Sequence, residues 1–156
     1  RVLFRSAVKH GTAWMLEATI RRLIAHGGAW VVENVEGARM PPDVFAFMLC
    51  GSSFGLRVRR HRIFESNVLL TSPECNHAAQ PDPIDVSGTG SFQHSPRKKK
   101  TGGLGRKPKG LEEAREIMQM PWATRKEIAQ AIPPAFAEYL ARQIMRVLKV
   151  GNDRLQ

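Results

Sequence analysis

Glu33 and Asn34 directly follow an unbroken apolar run, Ala29 to Val32, and occupy a position that could serve chemistry. The run is rich in β-branched and aromatic residues, which is typical of a strand buried on both faces, as in a parallel sheet. In open α/β sheets, ligands bind just beyond the carboxyl ends of the strands. A carboxylate at such a strand end is therefore a candidate site residue. A solvated turn before Gly37 is the alternative interpretation.

A second candidate is the segment RVRRHRIF, Arg57 to Phe64, in which arginines precede an apolar pair. On a strand, Arg60 and Arg62 would project to one face. Two guanidinium groups on one face repel each other unless an anion lies between them. Either a phosphate or a carboxylate such as Glu33 would serve. A solvated basic edge strand is the alternative interpretation.

The densest positive charge lies in a glycine-containing segment that holds no acidic residue. Its seven basic residues are Arg97, Lys98, Lys99, Lys100, Arg106, Lys107 and Lys109. The interleaved glycines permit close approach of the backbone, so the segment suits binding along phosphates with release of counterions. A disordered, solvated linker is the alternative, and composition favours neither interpretation.

The chain as a whole is also basic. Its 156 residues include 24 Lys and Arg against 14 Asp and Glu, which gives a net charge of +10. The positive electrostatic field of such a chain favours binding to polyanions, nucleic acid first and an anionic membrane surface second. No apolar run approaches the roughly 20 residues that a membrane helix needs. No signal peptide is recognisable either. These features predict a nucleic-acid-binding protein without a membrane span.

The cysteine content argues against a disulfide framework. Only Cys50 and Cys75 are present, which favours a reducing, cytoplasmic compartment. Cys50, within LCGSSFGL, is expected to be a small packed residue. Cys75 and His77 are of the ligand types that zinc prefers, but a zinc signature needs a second pair of ligands. No metal site is therefore predicted.

The remaining sequence patterns predict a helix before the apolar strand that leads to Glu33, and a short strand and three helices after it. Thr12 to His26 has apolar residues at roughly helical spacing and ends at a Gly-Gly pair. It leads directly into the strand Ala29 to Val35, an order that is half of a βαβ unit and predicts a parallel sheet. A short strand is predicted at Ile84 to Val86. Three helices follow, one starting at Leu111, one over Thr124 to Ala131 with a capping-box spacing, and one starting at Pro133-Pro134.

Three segments, in this order, resemble motifs of the DNA cytosine-5 methyltransferases. Glu33-Asn34-Val35 resembles the ENV motif of the family. FGLRVRRHRIF, Phe54 to Phe64, resembles the family segment that carries two arginines, one residue apart, before a short apolar strand. AQAIPPAFAEYLARQI, Ala129 to Ile144, resembles the last motif, usually written Gly-Asn-Ala-Val-Pro-Pro, and the closing helix. The resemblance rests on the order and spacing of the motifs, covers about Trp14 to Leu148, and is strongest to the compact versions found in phages.

The resemblance implies transfer of a methyl group from S-adenosylmethionine to cytosine C5 in double-stranded DNA. Such enzymes flip the base out of the duplex and attack its C6 with a cysteine thiolate. A carboxylic acid in a dry site, its pKa raised by desolvation, assists the attack at N3. Glu33, with Asn34 beside it, matches the position of that acid. Arg62, or Arg60 with it, would orient Glu33 and hydrogen-bond the cytosine O2.

The resemblance also implies where cofactor and DNA bind. The last motif lines the cofactor pocket in the family, which indicates Gln130 and Ala131 here. The variable stretch before that motif reads the DNA, which indicates Thr71 to Gly110 and its basic residues.

Two departures and two absences qualify the resemblance. Val58 stands where the family usually has Gln, and Ala129-Gln130 replaces Gly-Asn, so cofactor contacts there are expected to differ. The glycine-rich cofactor motif and the Pro-Cys nucleophile precede ENV in the family, and neither is present before Glu33. We therefore expect a C-terminal portion of such an enzyme, inactive alone. A complementary N-terminal half, upstream or on a second polypeptide, would complete it.

The predicted fold class is α/β, a partial Rossmann-like S-adenosylmethionine-dependent methyltransferase domain with a small basic recognition insert. Residues 12–70 and 111–150 would form the catalytic part and residues 71–110 the insert. Residues 1–11 are unassigned, and residues 151–156 form a tail. The competing class is a non-catalytic DNA-binding protein, either a helix-turn-helix-like module around TRKEIAQAI or a degenerate methyltransferase partner.

Overall fold

A computed structural model of the chain describes residues 13–34, 44–87 and 105–153, which form a mixed α/β structure. The elements in chain order are α1 (Ala13–His26), β1 (Val31–Asn34), β2 (Phe45–Leu49), a 3₁₀ helix (Gly51–Phe54), β3 (Arg62–Ser66), a second 3₁₀ helix (His77–Ala79), α2 (Leu111–Met118), α3 (Arg125–Gln130) and α4 (Pro134–Asp153).

These residues divide into two compact units, which we call the sheet unit and the helical unit. The sheet unit comprises the described parts of Arg1–Met48, Arg62–Ser72 and Gln143–Gln156. The helical unit comprises those of Leu49–His61 and Pro73–Arg142. Residues 73–87 and 105–110 of the predicted insert therefore lie in the same unit as α2 and α3.

The sheet has the strand order β1-β3-β2, and β1 pairs antiparallel with β3. The predictions of a parallel pairing and of a strand buried on both faces are therefore wrong for β1. Its four residues are half-buried or exposed, because an antiparallel strand needs only one packed face. The most buried residue of the apolar run is Trp30, which precedes the strand. Its backbone carbonyl accepts from the Ser66 hydroxyl at 2.8 Å, and its N–H donates to the Asn67 side chain at 3.0 Å.

The centre of β3 is Phe64, which is 1% exposed. Its ring stacks on that of Phe47 in β2, with the ring centroids 5.9 Å apart. Aromatic pairs of this kind add to the stability of neighbouring strands beyond the area that they bury.

The predicted strand Arg57 to Phe64 begins only at Arg62. The reason is the backbone of Arg60, whose φ of 36° lies in the left-handed region that a regular strand excludes. The predicted strand Ile84 to Val86 is likewise reduced, in this case to a single parallel bridge between Ile84 and Arg106.

The loop before β3 packs against the first 3₁₀ helix instead of a neighbouring strand. The Gly51 N–H donates to the Arg59 carbonyl at 2.5 Å. A Cβ at Gly51 would lie within 1.9 Å of the Val58 carbonyl oxygen, so only glycine permits this approach.

The helix predictions are confirmed to within a few residues. α2 ends at Met118, where Gln119 adopts a left-handed conformation and closes the helix. The predicted capping box of α3 is present: the Thr124 side chain accepts from the Glu127 N–H, and the Glu127 carboxylate accepts from the Thr124 N–H at 2.7 Å. α4 begins at Pro134, whose fixed φ suits the first turn of a helix.

The core of the helical unit is formed by alternate residues of two extended segments and by the inner faces of α2 and α3. Its buried members are Leu56, Val58, Ile84, Val86, Ala114, Ile117, Met118, Ala123 and Ile128. Val58, the residue that departs from the family's Gln, is 2% exposed and belongs to this core.

α4 is amphipathic. Phe136 and Leu140 are buried one turn apart, whereas Glu138 and Arg142 form an exposed ion pair at 2.5 Å. Among the described residues, none of the helices combines the length and the apolar character that a membrane crossing requires.

Removing the cap of α3 should destabilise the protein. In Thr124→Ala, the Glu127 N–H loses its side-chain acceptor, so we expect the free energy of unfolding to fall by about 1 kcal/mol. Urea denaturation followed by circular dichroism measures it. Lys126→Ala, an exposed change in the same helix, should alter stability by less than about 0.5 kcal/mol. Equal stability of Thr124→Ala and wild type would contradict the capping role.

Candidate functional site

The carboxylate of Glu33 lies against the guanidinium group of Arg62, with Arg62 Nε and Glu33 Oε1 2.7 Å apart. The register of the two strands explains this contact. Glu33 is opposite Phe64, so Arg62, two residues before Phe64, is its diagonal neighbour on the same face of the sheet. Long side chains bridge that diagonal. The structure thus brings together two of the predicted site residues.

The surroundings of Glu33 differ from those that the resemblance implies for the acid. Its side chain is 36% exposed, whereas that of Arg62 is 18% exposed. The described residues therefore give Glu33 a charged partner and access to solvent, and they do not supply the dry pocket that was expected.

Asn34 projects to the opposite face of β1, because successive residues of a strand alternate. It is opposite Ile63, so its diagonal neighbour on that face is Glu65. The Glu65 side chain is fully buried. Burial raises the pKa of Glu65, and a hydrogen bond with the Asn34 side chain opposes part of that shift. Glu33 and Asn34 therefore belong to different faces and do not form one binding surface.

Arg60, the first arginine of the predicted pair, is 6% exposed. Its NH2 group donates to the carbonyl oxygen of Ala129 at 2.7 Å. Ala129 opens the segment that resembles the last methyltransferase motif. The prediction that Arg60 and Arg62 project from one face of a regular strand is wrong, and the structure places them against different motif segments.

Gln130 and Ala131, the predicted cofactor contacts, lie at the end of α3. Gln130 is its last residue and is exposed, whereas Ala131 is half-buried and donates its N–H to the Glu127 carbonyl at 2.7 Å. Their contact with S-adenosylmethionine stays a prediction.

The predicted DNA-contacting residues divide into three groups. Arg97, Lys98, Lys99 and Lys100 lie outside the described residues. Arg106 and Lys107 are paired with carboxylates. Lys109 has an exposed side chain, while its backbone N–H donates to Glu113 Oε2 at 2.5 Å.

Acidic residues outside the basic segment neutralise Arg106 and Lys107. The Arg106 guanidinium makes two hydrogen bonds to the Glu113 carboxylate, at 2.5 and 3.0 Å, and lies 3.2 Å from Asp82. Lys107 Nζ is 2.7 Å from Asp85. These contacts raise the pKa of Arg106 and, chiefly through the hydrogen bond from Arg106, lower the pKa of Glu113 to about 2. Both basic residues thus stabilise the fold of the helical unit, and a contact with DNA would compete with that role.

A cluster that the sequence did not predict lies in the helical unit. Cys50, His61, Cys75 and His77, which we call the Cys/His cluster, place one ligand atom each within 4.8 Å of all the others. His77 Nε2 lies 3.2 Å from His61 Nε2 and 3.3 Å from Cys50 Sγ, and Cys75 Sγ lies 3.7 Å from His61 Nε2. Burial, with the positive charge of Arg59 and the neighbouring His61, lowers the pKa of His77.

The sequence signals of this cluster are weak. Cys50 is buried, as expected of a small packed residue, but it also provides the missing partner for Cys75 and His77. The spacings are Cys-x₁₀-His and Cys-x-His, neither of which matches the usual zinc-finger spacing. Glu65 was also missed, since the pattern RIFES does not indicate a buried acid.

Comparison with known proteins gives no match. No family model, no curated protein and no solved structure matches the chain.

The ion pair of Arg106 and Glu113 should make stability depend on pH. The pKa of Glu113 is lower in the folded protein than its usual 4.5, so its contribution is fully present above pH 4.5 and is lost as pH falls towards 2. We expect Glu113→Gln to lower the free energy of unfolding by about 1 kcal/mol at pH 7 and by less at pH 3.

Urea denaturation at both pH values measures this difference. Glu116→Gln, which changes an exposed carboxylate of the same helix, is the matched control and should have little effect at either pH. A Glu113→Gln effect of the same size at pH 7 and pH 3 would contradict the assignment.

Proposed function

We propose that this chain is the C-terminal portion of a DNA cytosine-5 methyltransferase and supplies the acid that assists attack on the cytosine ring. The observation that carries the proposal is the ion pair of Glu33 and Arg62 at the end of β1. It joins the segment that resembles the ENV motif to the segment that resembles the two-arginine motif. The contact of Arg60 with the Ala129 carbonyl, which joins the second segment to the third, supports it further.

In this mechanism Glu33 takes a proton from solvent, to which its side chain is accessible, and donates it to cytosine N3 as negative charge accumulates on the ring. Arg62 orients the carboxylate from the neighbouring strand. The exposed third of the Glu33 side chain is the part that a flipped base would cover, and covering it would remove water and strengthen the hydrogen bond. The same acid would be poorly placed for this role if it were fully buried before the base arrived.

A larger sheet is compatible with the observed strands. Mixed sheets in doubly wound folds commonly carry an antiparallel strand beside parallel ones. β1 is an edge strand of the sheet formed by the described residues. In the proposal, the Rossmann-like part continues from this edge, and the nucleophilic cysteine and the glycine-rich motif come from the complementary half.

S-adenosylmethionine would be held only in part by this chain. Gln130 and Ala131, at one helix end, cannot by themselves enclose a cofactor of that size. When bound, the cofactor supplies the methyl group. The contribution of this chain is to hold and protonate the base, and to bind DNA through Lys109 and residues 97–100.

Glu33→Gln should abolish most methyl transfer, because the amide cannot donate an acidic proton. We expect the rate with tritiated S-adenosylmethionine and duplex DNA to fall by about 10²- to 10⁴-fold. The assay uses the chain together with any coding sequence that precedes the Arg1 codon. Retention of the DNA on filters should change less than about threefold, since the phosphate contacts are untouched.

Glu138→Gln is the matched control, since Glu138 also pairs with an arginine, on the exposed face of α4. An unchanged rate for Glu33→Gln would contradict the role of the acid. Methyl transfer by the 156-residue chain alone would contradict the placement of the nucleophile in another segment.

The second candidate function is DNA binding without catalysis. α2 and α3 pack against each other across a short turn, and α3 exposes Lys126 and Gln130. That arrangement is similar to a helix-turn-helix pair. However, α3 has only six residues and leads within a few residues into Pro133-Pro134. A module of this kind also assigns no role to the pair of Glu33 and Arg62.

Duplex DNA containing 5-fluorocytosine separates the two functions. A methyltransferase, assayed with its complementary half and S-adenosylmethionine, should form a covalent complex that survives denaturation. A DNA-binding module should give only retention that falls steeply with salt concentration. Retention that is entirely reversible with the complementary half present would favour the second function.

A further inference from the structure

The Cys/His cluster shares no residue with the ion pair of Glu33 and Arg62 on which the proposed function rests. Its four ligands come from three places: Cys50 at the end of β2, His61 just before β3, and Cys75 with His77 at the second 3₁₀ helix. Two soft thiol ligands and two imidazoles are the set that structural zinc sites use.

The distances within the cluster match the edges of a tetrahedron around one ion. With Zn–N of about 2.05 Å and Zn–S of about 2.3 Å, two nitrogens would lie about 3.4 Å apart, and a nitrogen and a sulfur about 3.6 Å apart. The observed distance between the two Nε2 atoms is 3.2 Å, and the two nitrogen–sulfur distances are 3.3 and 3.7 Å. All remaining pairs are within 4.8 Å.

The separation of the two imidazole rings also matches binding to one ion. Two rings bound through Nε2 to one tetrahedral ion would hold their centroids about 5.2 Å apart, because each centroid lies on the line from the ion through its nitrogen. The centroids of His61 and His77 are 5.2 Å apart. A linear hydrogen bond between the two nitrogens at their observed separation would place the centroids farther apart, at about 5.5 Å.

Hydrogen bonds within the cluster compete with one another. Each Nε2 faces the other Nε2 and also a sulfur, yet a neutral imidazole carries one N–H and a thiol is a weak donor. One shared cation satisfies all four lone pairs at once. The distance between the two Nε2 atoms and the two nitrogen–sulfur distances are already close to those around an ion.

The surroundings hold the ligands in place. The Ser52 hydroxyl lies 3.0 Å from Cys50 Sγ and accepts from the Asn76 N–H, also at 3.0 Å. The Asn76 side chain in turn caps the 3₁₀ helix that carries His77. Outer contacts of this kind orient metal ligands in characterised sites. The loop of Cys50 is therefore tied to the segment of Cys75 and His77 by the protein as well as by the four ligands.

We propose that Cys50, His61, Cys75 and His77 bind one Zn²⁺ ion in a closed, four-coordinate site. Four protein ligands leave no position for water or substrate, so the ion is structural. It fastens the segment Cys50–His61 to the segment Cys75–His77 inside the helical unit.

The metal content of the tag-free chain, expressed in zinc-supplemented medium, tests the proposal directly. We expect about one zinc ion per chain by plasma mass spectrometry, retained through gel filtration. Replacement by Co²⁺ should give the intense visible bands of tetrahedral coordination together with a thiolate charge-transfer band. This spectrum is recorded on the wild-type chain and so does not depend on the folding of any variant.

Two variants identify the ligands. Cys75→Ser changes an exposed residue, and His77→Gln changes a half-buried one. We expect each to lower zinc affinity at least 100-fold in competition with a chelating dye, since loss of an outer contact alone costs about 10- to 100-fold. His26→Gln, an exposed histidine of α1, is the matched control and should bind zinc as the wild type does.

Three results would overturn the proposal. The first is a wild-type chain that holds less than about a tenth of a zinc ion and gives no tetrahedral Co²⁺ spectrum. The second is unchanged zinc affinity in both ligand variants. The third is a disulfide between Cys50 and Cys75 in chain purified under reducing conditions.

Discussion

The backbone of Arg60 is the constraint on which both candidate sites depend. A non-glycine residue at φ 36° costs on the order of 1 kcal/mol, and here the hydrogen bond from the Arg60 guanidinium to the Ala129 carbonyl opposes that cost. Because the chain turns at Arg60, β3 starts at Arg62 instead of Arg57. Arg62 thereby enters the register that brings it to Glu33, while His61 stays outside the strand and is available to the Cys/His cluster.

The register of β1 and β3 places two acids, Glu33 and Glu65, on opposite faces of the sheet, in different surroundings. Glu33 is accessible and pairs with Arg62, whereas Glu65, on the other face, is buried and its pKa is raised by desolvation. An acid that meets a ligand must be reachable, so accessibility favours Glu33 for the proposed role despite its wetter surroundings. Glu65 makes the reverse contribution to that of Glu113, because its pKa is raised above 4.5 in the folded protein: its contribution is fully present below pH 4.5 and is lost as pH rises through the raised pKa.

Structure that depends on residues close together in sequence could be predicted. Strand pairing and side-chain clusters, which depend on residues far apart in sequence, could not. The capping box of Thr124 and Glu127 lies within one helical turn, and the sequence predicted it correctly. The apolar run before Glu33 correctly predicted a strand, but the predicted parallel pairing was wrong, because pairing depends on which segment lies alongside. The Cys/His cluster joins residues up to 27 positions apart at loops, where no periodicity marks which side chains converge.

The ion pairs of the basic segment could not be predicted from its composition either. They also limit which of its residues are available to bind DNA. The basic segment contains no acid, yet Asp82, Asp85 and Glu113 neutralise Arg106 and Lys107 from elsewhere in the chain. A residue that already holds a carboxylate releases few counterions when it meets a phosphate, because it must first give up that partner. The predicted DNA contacts therefore differ in how much each would contribute to the affinity for DNA. The exposed side chain of Lys109, together with the run of four basic residues at 97–100, is the part of the segment that best fits a polyanion, and the net charge of +10 is consistent with that role.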